Sequence, residues 1–376
     1  MDASASNRPP PIRRDPQSRW LDLVSQAERG PVPAAARAGL AVLAGLYRVG
    51  LAAANVRWRF PSAVHRAPCP VISVGNLTVG GTGKTPMVAY LAGMLVAEGY
   101  RPLIVSRGYG AEPGSPNEEA GELGRRCPDV PQVQFPDRLR AIQEWTAQHP
   151  CDVAILDDGF QHRRLDRDLD IVLLDALRPF GYGHVLPRGL LREPPSALAR
   201  ADMVVITRAA LIEADALARL KAVVGRLVAA ETPVLVADHR PAEVAFADGS
   251  CQPANWLCER PVAAVCAIAN PEAFEQTLDS IGAQVVRFDA FRDHYAYTAA
   301  DLARLGAGAT AAGANVLVTT GKDFVKWRPL LTHDREAVPV PCAALEVAMH
   351  FTEGEAVLHD RVRRLMPPPP GRRGDP

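Results

Sequence analysis

Six consecutive residues, Gly80-Gly81-Thr82-Gly83-Lys84-Thr85, combine the groups needed to hold a phosphate chain. Glycines let the backbone turn its N–H groups toward an anion, a lysine reaches the terminal phosphates, and a threonine hydroxyl can ligate Mg²⁺. The strict pattern for such a loop puts its first glycine at position 78, where this chain has Thr78, so Gly80 and Gly81 must supply the tight turn. A second constellation lies at Asp157-Asp158-Gly159-Phe160-Gln161-His162. Two adjacent carboxylates at the end of an apolar run are where a phosphate-loop enzyme holds Mg²⁺, directly or through water. Period-two alternation along a strand points Asp157 and Asp158 to opposite sides, so one of them is expected to face the metal. Gln161 and His162 either orient an attacking hydroxyl or the metal shell, or His162 is a hydrogen-bonded structural histidine.

These residues need particular elements to carry them. Val71 to Val74 is a β-branched run suited to a buried strand, and Met87 to Leu95 suits a helix, so the glycine loop joins strand to helix. Further apolar runs follow at Pro102 to Val105, Val153 to Leu156, Ile171 to Leu174, Met203 to Thr207 and Val234 to Ala237. Most are separated by enough chain for a crossover helix, which implies an α/β fold: a mainly parallel sheet with helices on both faces. The segment Asp158 to Asp168 is short for a crossover, so its two strands are expected to pair antiparallel or to join irregularly. The pattern loosens near residues 240–260, and a second βα series begins at Val262. The expected organisation is an N-terminal segment 1–60, a phosphate-loop domain 61–245, a smaller C-terminal α/β domain 246–366 and a disordered tail 367–376.

Within the first segment, residues 1–19 are polar and proline-rich and are expected to be mobile. No small-residue cleavage site follows a compact apolar core, so no secretory signal is read there. Ala34 to Phe60 is alanine- and leucine-rich, with a longest uncharged run of ten residues (Ala38 to Tyr47) against the ~20 needed to span a bilayer. Arg37, Arg48 and Arg59 recur every eleven residues, which brings a helix back to within about 20° and predicts one basic stripe. An apolar helix with such a stripe fits either a membrane surface or a packed domain face. The 42 basic and 42 acidic side chains cancel, which argues against bulk nucleic-acid binding. Seven cysteines without C-x-x-C spacing, several of them in apolar runs, read as buried free thiols of a reducing compartment.

The two constellations together resemble the tetraacyldisaccharide 4'-kinase family of lipid A synthesis. The resemblance runs from about Val71 to Trp327 and includes Ser106-Arg-Gly-Tyr109, Leu186-Pro-Arg-Gly-Leu-Leu-Arg-Glu-Pro194, Asp293-His-Tyr295 and Thr319-Thr-Gly-Lys-Asp323. It implies ATP- and Mg²⁺-dependent phosphorylation of the 4'-hydroxyl of a tetraacylated glucosamine disaccharide 1-phosphate. It also implies a peripheral, amphipathic N-terminal helix on the cytoplasmic face of the inner membrane, and no obligate protein partner is evident. The family's Gly-Asp-Glu-Pro motif, whose aspartate pairs with the histidine of Asp-His-Tyr, is replaced here by Ser115-Pro-Asn-Glu-Glu-Ala-Gly-Glu-Leu-Gly124. The nearest placement makes Glu118 and His294 the catalytic dyad alongside Lys84, with Glu119 at the motif's glutamate; Glu122 is an alternative, and so is an exposed acidic helix start. Arg192 either binds the substrate's phosphate through its planar fork or pairs with Glu193 or another carboxylate. The competing reading is a regulatory phosphate-loop GTPase acting on a protein partner. A guanine reader carries Asn/Thr-Lys-x-Asp, whereas Thr320-Gly-Lys-Asp323 sets lysine and aspartate side by side.

Overall fold

The computed structural model describes residues 16–108, 117–268, 271–293, 295–333 and 338–366. The expectations for residues 1–15 and 367–376 and for His294 lie outside the described residues. In chain order the helices are α1 (Pro16–Val24), α2 (Pro31–Val56), α3 (Lys84–Ala97), α4 (Glu118–Arg126), α5 (Arg138–Thr146), α6 (Ala214–Gly225), α7 (Pro271–Ser280), α8 (Ala299–Ala311), α9 (Gly321–His333) and α10 (Glu355–Leu365). The strands are β1 (Val71–Asn76), β2 (Pro102–Ser106), β3 (Gln132–Gln134), β4 (Val153–Asp157), β5 (Leu169–Asp175), β6 (Met203–Thr207), β7 (Val234–Phe246), β8 (Cys251–Pro253), β9 (Pro261–Cys266), β10 (Gln284–Ala290), β11 (Val316–Thr320) and β12 (Cys342–Glu353).

The described residues form two compact units, one of the chain up to Arg57 with Leu77–Val79 and Phe180–Pro195, the other of the remainder. The first unit is built from α1, α2 and the 180–195 segment. The Trp20 indole donates to the Pro187 carbonyl at 2.8 Å, and the Tyr47 hydroxyl donates to the Arg192 carbonyl at 2.8 Å. Helix α1 therefore begins inside the stretch whose composition suggested mobility, because Trp20 has a partner 167 residues away. Helix α2 has 26 residues and a mean hydropathy of 1.5, long and apolar enough by length and composition to cross a membrane. Val32, Val42, Leu43, Leu46 and Val49 along it are exposed. Arg37 and Arg48 lie on this helix, but Arg59 falls beyond its end in a short 3₁₀ turn, so the three-arginine stripe is not continuous.

The second unit holds all twelve strands in one sheet, ordered β10-β9-β11-β12-β7-β6-β5-β1-β4-β2-β3, with β8 paired to β7. Every neighbouring pair is parallel except β7 with β12 and β7 with β8. Side chains of β1 and β4 alternate between two cores. Ile72, Val74, Val153 and Ile155 pack with α3 and α10 on one face, while Val71, Ala154 and Leu156 pack with α5 on the other. Such two-sided burial explains why these strands read as continuous apolar runs. The sheet continues through residues 245–246, where β7 ends, and β7 pairs with β12, the last strand of the C-terminal βα series. Strands β4 and β5 do not pair with each other. Both lie parallel to β1, one on each side, and the irregular 158–168 connection crosses over it.

Two glycines permit that crossing. A Cβ on Gly75 would lie 2.5 Å from Cβ of Phe160, and one on Gly159 would lie 2.4 Å from the Ser73 hydroxyl. The turn after β4 is thus seated directly on the backbone of β1, and Phe160 is fully buried. Close approach of two backbones is the physical content of the glycines in both motifs.

Candidate active site

The site lies at the carboxyl ends of β1 and β4, where ligands of parallel sheets usually bind. After β1 the chain enters the glycine loop. Gly80 and Gly83 take positive φ of 114° and 90°, conformations that cost an L-residue energy. Gly83 is also confined from outside, since a Cβ there would stand 2.3 Å from Nε2 of His239 on β7. The loop is pinned by its carbonyls. Thr207 donates to the Thr82 carbonyl at 3.0 Å, and Arg208, paired with Asp175 at 2.8 Å, donates to the Gly81 carbonyl at 2.6 Å. The Asn76 amide holds the Thr82 hydroxyl at 2.9 Å.

Helix α3 begins at Lys84, directly after the left-handed Gly83. Lys84 and Thr85 thus occupy the first turn, where N–H groups have no intrahelical partner and the helix end attracts anions. Pro86 is tolerated there because it has no N–H to lose. Nζ of Lys84 lies 3.5 Å from Oδ1 of Asp158. This contact is possible because Asp158 adopts φ 54°, so the strand alternation expected at this pair stops at Asp157. Asp157 is buried, and its Oδ1 has no hydrogen-bond partner among the described residues. Burial, helped by the charge of Glu119 and opposed by Lys84, raises its pKa from 3.8 to about 7. Behind the pair, the buried Arg138 donates to the Asp157 carbonyl at 3.1 Å.

An orphaned buried carboxylate oxygen beside a lysine and a helix N-terminus fits an oxygen-liganded cation. Among the described residues no group of three or more His, Cys, Asp or Glu side chains could hold a metal alone. Mg²⁺ needs no such group, because it takes one or two carboxylates and completes its shell with phosphate and water. Thr85, Asp157 and Asp158 fit that demand.

The other expected residues fall in different places. Gln161 donates its amide to the Asn76 carbonyl at 2.9 Å and so fastens the crossing turn to β1. His162 is half-buried, and burial with the nearby Arg138 and Arg167 lowers its pKa to about 4, so it is neutral at pH 7. Arg192 belongs to the first unit, where its N–H donates to the Leu77 carbonyl at 2.7 Å. At the start of α4, Asn117 is the N-cap, accepting from the Ala120 N–H at 2.9 Å. Glu118 pairs with Lys326 of α9 at 3.2 Å. Glu122 is paired with Arg126 at 2.9 Å and is displaced upward in pKa by burial. Glu119 is the α4 acid whose charge acts on Asp157. It shares a helix stripe with Leu123, which packs in the same core as Met87 and Leu91 of α3.

Arg138, Arg208 and His239 were not readable as site residues from the sequence. Each sits beside an unremarkable stretch, and only the tertiary fold brings it to the site, Arg138 to Asp157 and the other two to the loop. All seven cysteines are free, but only Cys127, Cys266 and Cys342 are buried as expected; Cys251 and Cys258, on the short β8 and in the turn before β9, are exposed.

A family model described as tetraacyldisaccharide-1-P 4'-kinase matches residues 36–366. The chain belongs to this family. A tetraacyldisaccharide 4'-kinase of Syntrophus aciditrophicus is 36% identical over 93% of this chain and 97% of the relative. One from Anaeromyxobacter dehalogenans is 40% identical over 83% of this chain and 87% of the relative. Among solved structures, LpxK from Aquifex aeolicus in complex with ATP has a TM-score of 0.68 and 29% identity, covering 88% of this chain and 99% of that one.

Proposed function

We propose that the protein transfers the γ-phosphoryl group of ATP to the 4'-hydroxyl of a tetraacylated glucosamine disaccharide 1-phosphate in lipid A synthesis. The observation that carries this reading is the Lys84–Asp158 contact beside the buried Asp157, whose Oδ1 has no hydrogen-bond partner among the described residues, set at a helix N-terminus within a chain of this family. The N–H groups of the Gly80–Thr85 loop cradle the phosphates, and Lys84 neutralises charge on the group being transferred. Mg²⁺, held by Thr85 with Asp157 and Asp158, would supply further charge neutralisation at the phosphates. Glu119 is the α4 acid we assign to the edge of this cluster. His294 is assigned to the proton of the attacking hydroxyl, where a positioned base is worth ~10²–10⁴ in rate. Glu118, expected as its partner, would have to leave Lys326 to take a proton itself. Arg192 is assigned to the phosphate already on the substrate.

We assign α2 to the membrane surface on the cytoplasmic face of the inner membrane, with its exposed apolar residues in the lipid and Arg37 and Arg48 at the headgroups. The GTPase reading is not favoured, since no guanine-reading motif accompanies the loop. Purified protein with labelled ATP, Mg²⁺ and the disaccharide 1-phosphate lipid should yield a labelled bisphosphorylated lipid on chromatography. ATP hydrolysis with no labelled lipid would overturn the assignment.

A further inference from the structure

Two lysines of α9 have no part in the chemistry assigned above. Lys322 and Lys326 are four residues apart, so they share one helix face. Nζ of Lys322 pairs with Oδ1 of Asp293 at 2.9 Å, and Nζ of Lys326 donates to the Tyr295 carbonyl at 3.2 Å. The two contacts flank position 294 on either side. Lys326 also meets Glu118 of α4 at 3.2 Å and lies 3.7 Å from Asp323.

The Lys326 side chain is only 12% exposed. An ammonium withdrawn that far from water must find its acceptors within the protein. Those acceptors come from three separate elements, namely the start of α4, the turn before α8 and α9 itself. Asp323 is a fixed base for the group, because it is fully buried and accepts from the Ala267 N–H at 2.8 Å and the Thr320 hydroxyl at 2.9 Å. Helix α4 is held against α9 along its length. A Cβ on Gly121 would come within 2.6 Å of Val325. At its far end Arg125 and Arg126 both pair with the buried Glu346 of β12.

We propose that Glu118 and Lys326 form a brace that fixes the Tyr295 backbone, in the turn before α8, against the start of α4, making both positioning residues for phosphoryl transfer. The proposal deepens the kinase reading and rests on it for what the turn does, while the brace itself rests on the contacts above. Glu118 then acts through Lys326 and the Tyr295 backbone, and it exchanges no proton with the substrate. The Thr-Gly-Lys-Asp run takes its purpose from the same group. Thr320 and Asp323 build the base, Lys322 holds Asp293, and Lys326 one turn later closes the brace.

The test compares wild type, Glu118→Gln, Lys326→Met, Lys326→Arg and the double variant Glu118→Gln/Lys326→Met as full chains. Measured are kcat and KM for each substrate, the pH–rate profile, and hydrogen exchange of the peptide covering residues 290–298. Each of Glu118→Gln and Lys326→Met should lower kcat by roughly ten- to a hundredfold through misplacement, with KM for ATP within about twofold. The double variant should be no worse than the worse single one, because the two act as a unit. Exchange in the 290–298 peptide should rise in both, the pH profile should keep its shape in Glu118→Gln, and Lys326→Arg should recover most of the rate. Loss of a limb of the pH profile in Glu118→Gln with unchanged exchange would make Glu118 a proton acceptor and overturn the brace. So would wild-type turnover and exchange in Lys326→Met, or additive losses. Should Lys326→Met fail to fold, Glu118→Gln decides by the same exchange and pH readouts. If the wild type transfers no phosphate to lipid, the kinase reading fails, and the exchange comparison still decides the brace.

Discussion

The glycine loop and the start of α4 both act on Asp157, through Lys84 and Glu119, yet they are held in place by different physics. The loop is shaped by its backbone: positive φ at Gly80 and Gly83, carbonyls taken by Thr207 and Arg208, and no room for a Cβ beside His239. Helix α4 is shaped by side chains from elsewhere, with Glu118 on Lys326 at its start and Arg125 and Arg126 on Glu346 at its end. A backbone-built site demands particular residues at fixed spacing. A site built from ion pairs tolerates many residue choices, provided the opposite charge is supplied across the interface.

The largest effect should come from the loop. Lys84→Ala is expected to cut lipid phosphorylation by ~10²–10³ or more, as when a group that stabilises transition-state charge is removed. Its melting temperature should stay close to wild type, because Lys84 is not part of the apolar core. A folded Lys84→Ala protein with normal turnover would remove the phosphate-loop assignment and the comparison with it.

Gly83→Ala should come next. It meets two separate costs, about 1–2 kcal/mol for a non-glycine residue at positive φ and a clash with the His239 ring. ATP binding and melting temperature should both fall. Gly83→Ala/His239→Ala should recover the steric part and leave the conformational part. Full recovery would mean that the positive φ costs nothing there, and no recovery would mean that His239 does not confine the loop. His239 suits this packing role because burial and the nearby Arg208 and Arg126 lower its pKa to about 3, so a neutral ring fills the space.

Asp157 gives a pH-dependent test. Its pKa is raised on folding to about 7, so its contribution to stability is present at low pH and is lost as pH rises through that value. In metal-free buffer Asp157→Asn should therefore be more thermostable than wild type at pH 8, and the advantage should vanish near pH 4. In the wild type, the Mg²⁺ concentration for half-maximal activity should climb as pH falls below about 7, because the proton and the metal compete for one carboxylate. A pH-independent stability difference would show that burial does not burden this carboxylate.

The smallest effect expected is at the α4 side of the cluster. Glu119→Gln should raise the Mg²⁺ requirement only a few-fold, because Glu119 is exposed and solvent screens its charge. A loss as large as that of Lys84→Ala would erase the contrast between the two regions.

The sequence by itself determined the parts set by short-range backbone rules. These are a strand, a glycine loop and a helix in immediate succession, two carboxylates at a strand end, and apolar runs that foretold a mainly parallel sheet covered on both faces. Each depends on neighbouring residues and on the few φ/ψ regions open to them. Tertiary structure decided what depends on strand order. It placed β1 between β4 and β5, so the 158–168 connection crosses a strand instead of turning back on itself. It brought Arg138 to Asp157 and Arg208 and His239 to the loop, and it set Lys326 against Glu118 across 208 residues of chain. It also ended α2 before Arg59, which period alone had placed on the same stripe as Arg37 and Arg48. An arginine or lysine carries no mark of the partner it will meet, because an ion pair is a property of two surfaces brought together, and long-range packing alone selects which surfaces those are.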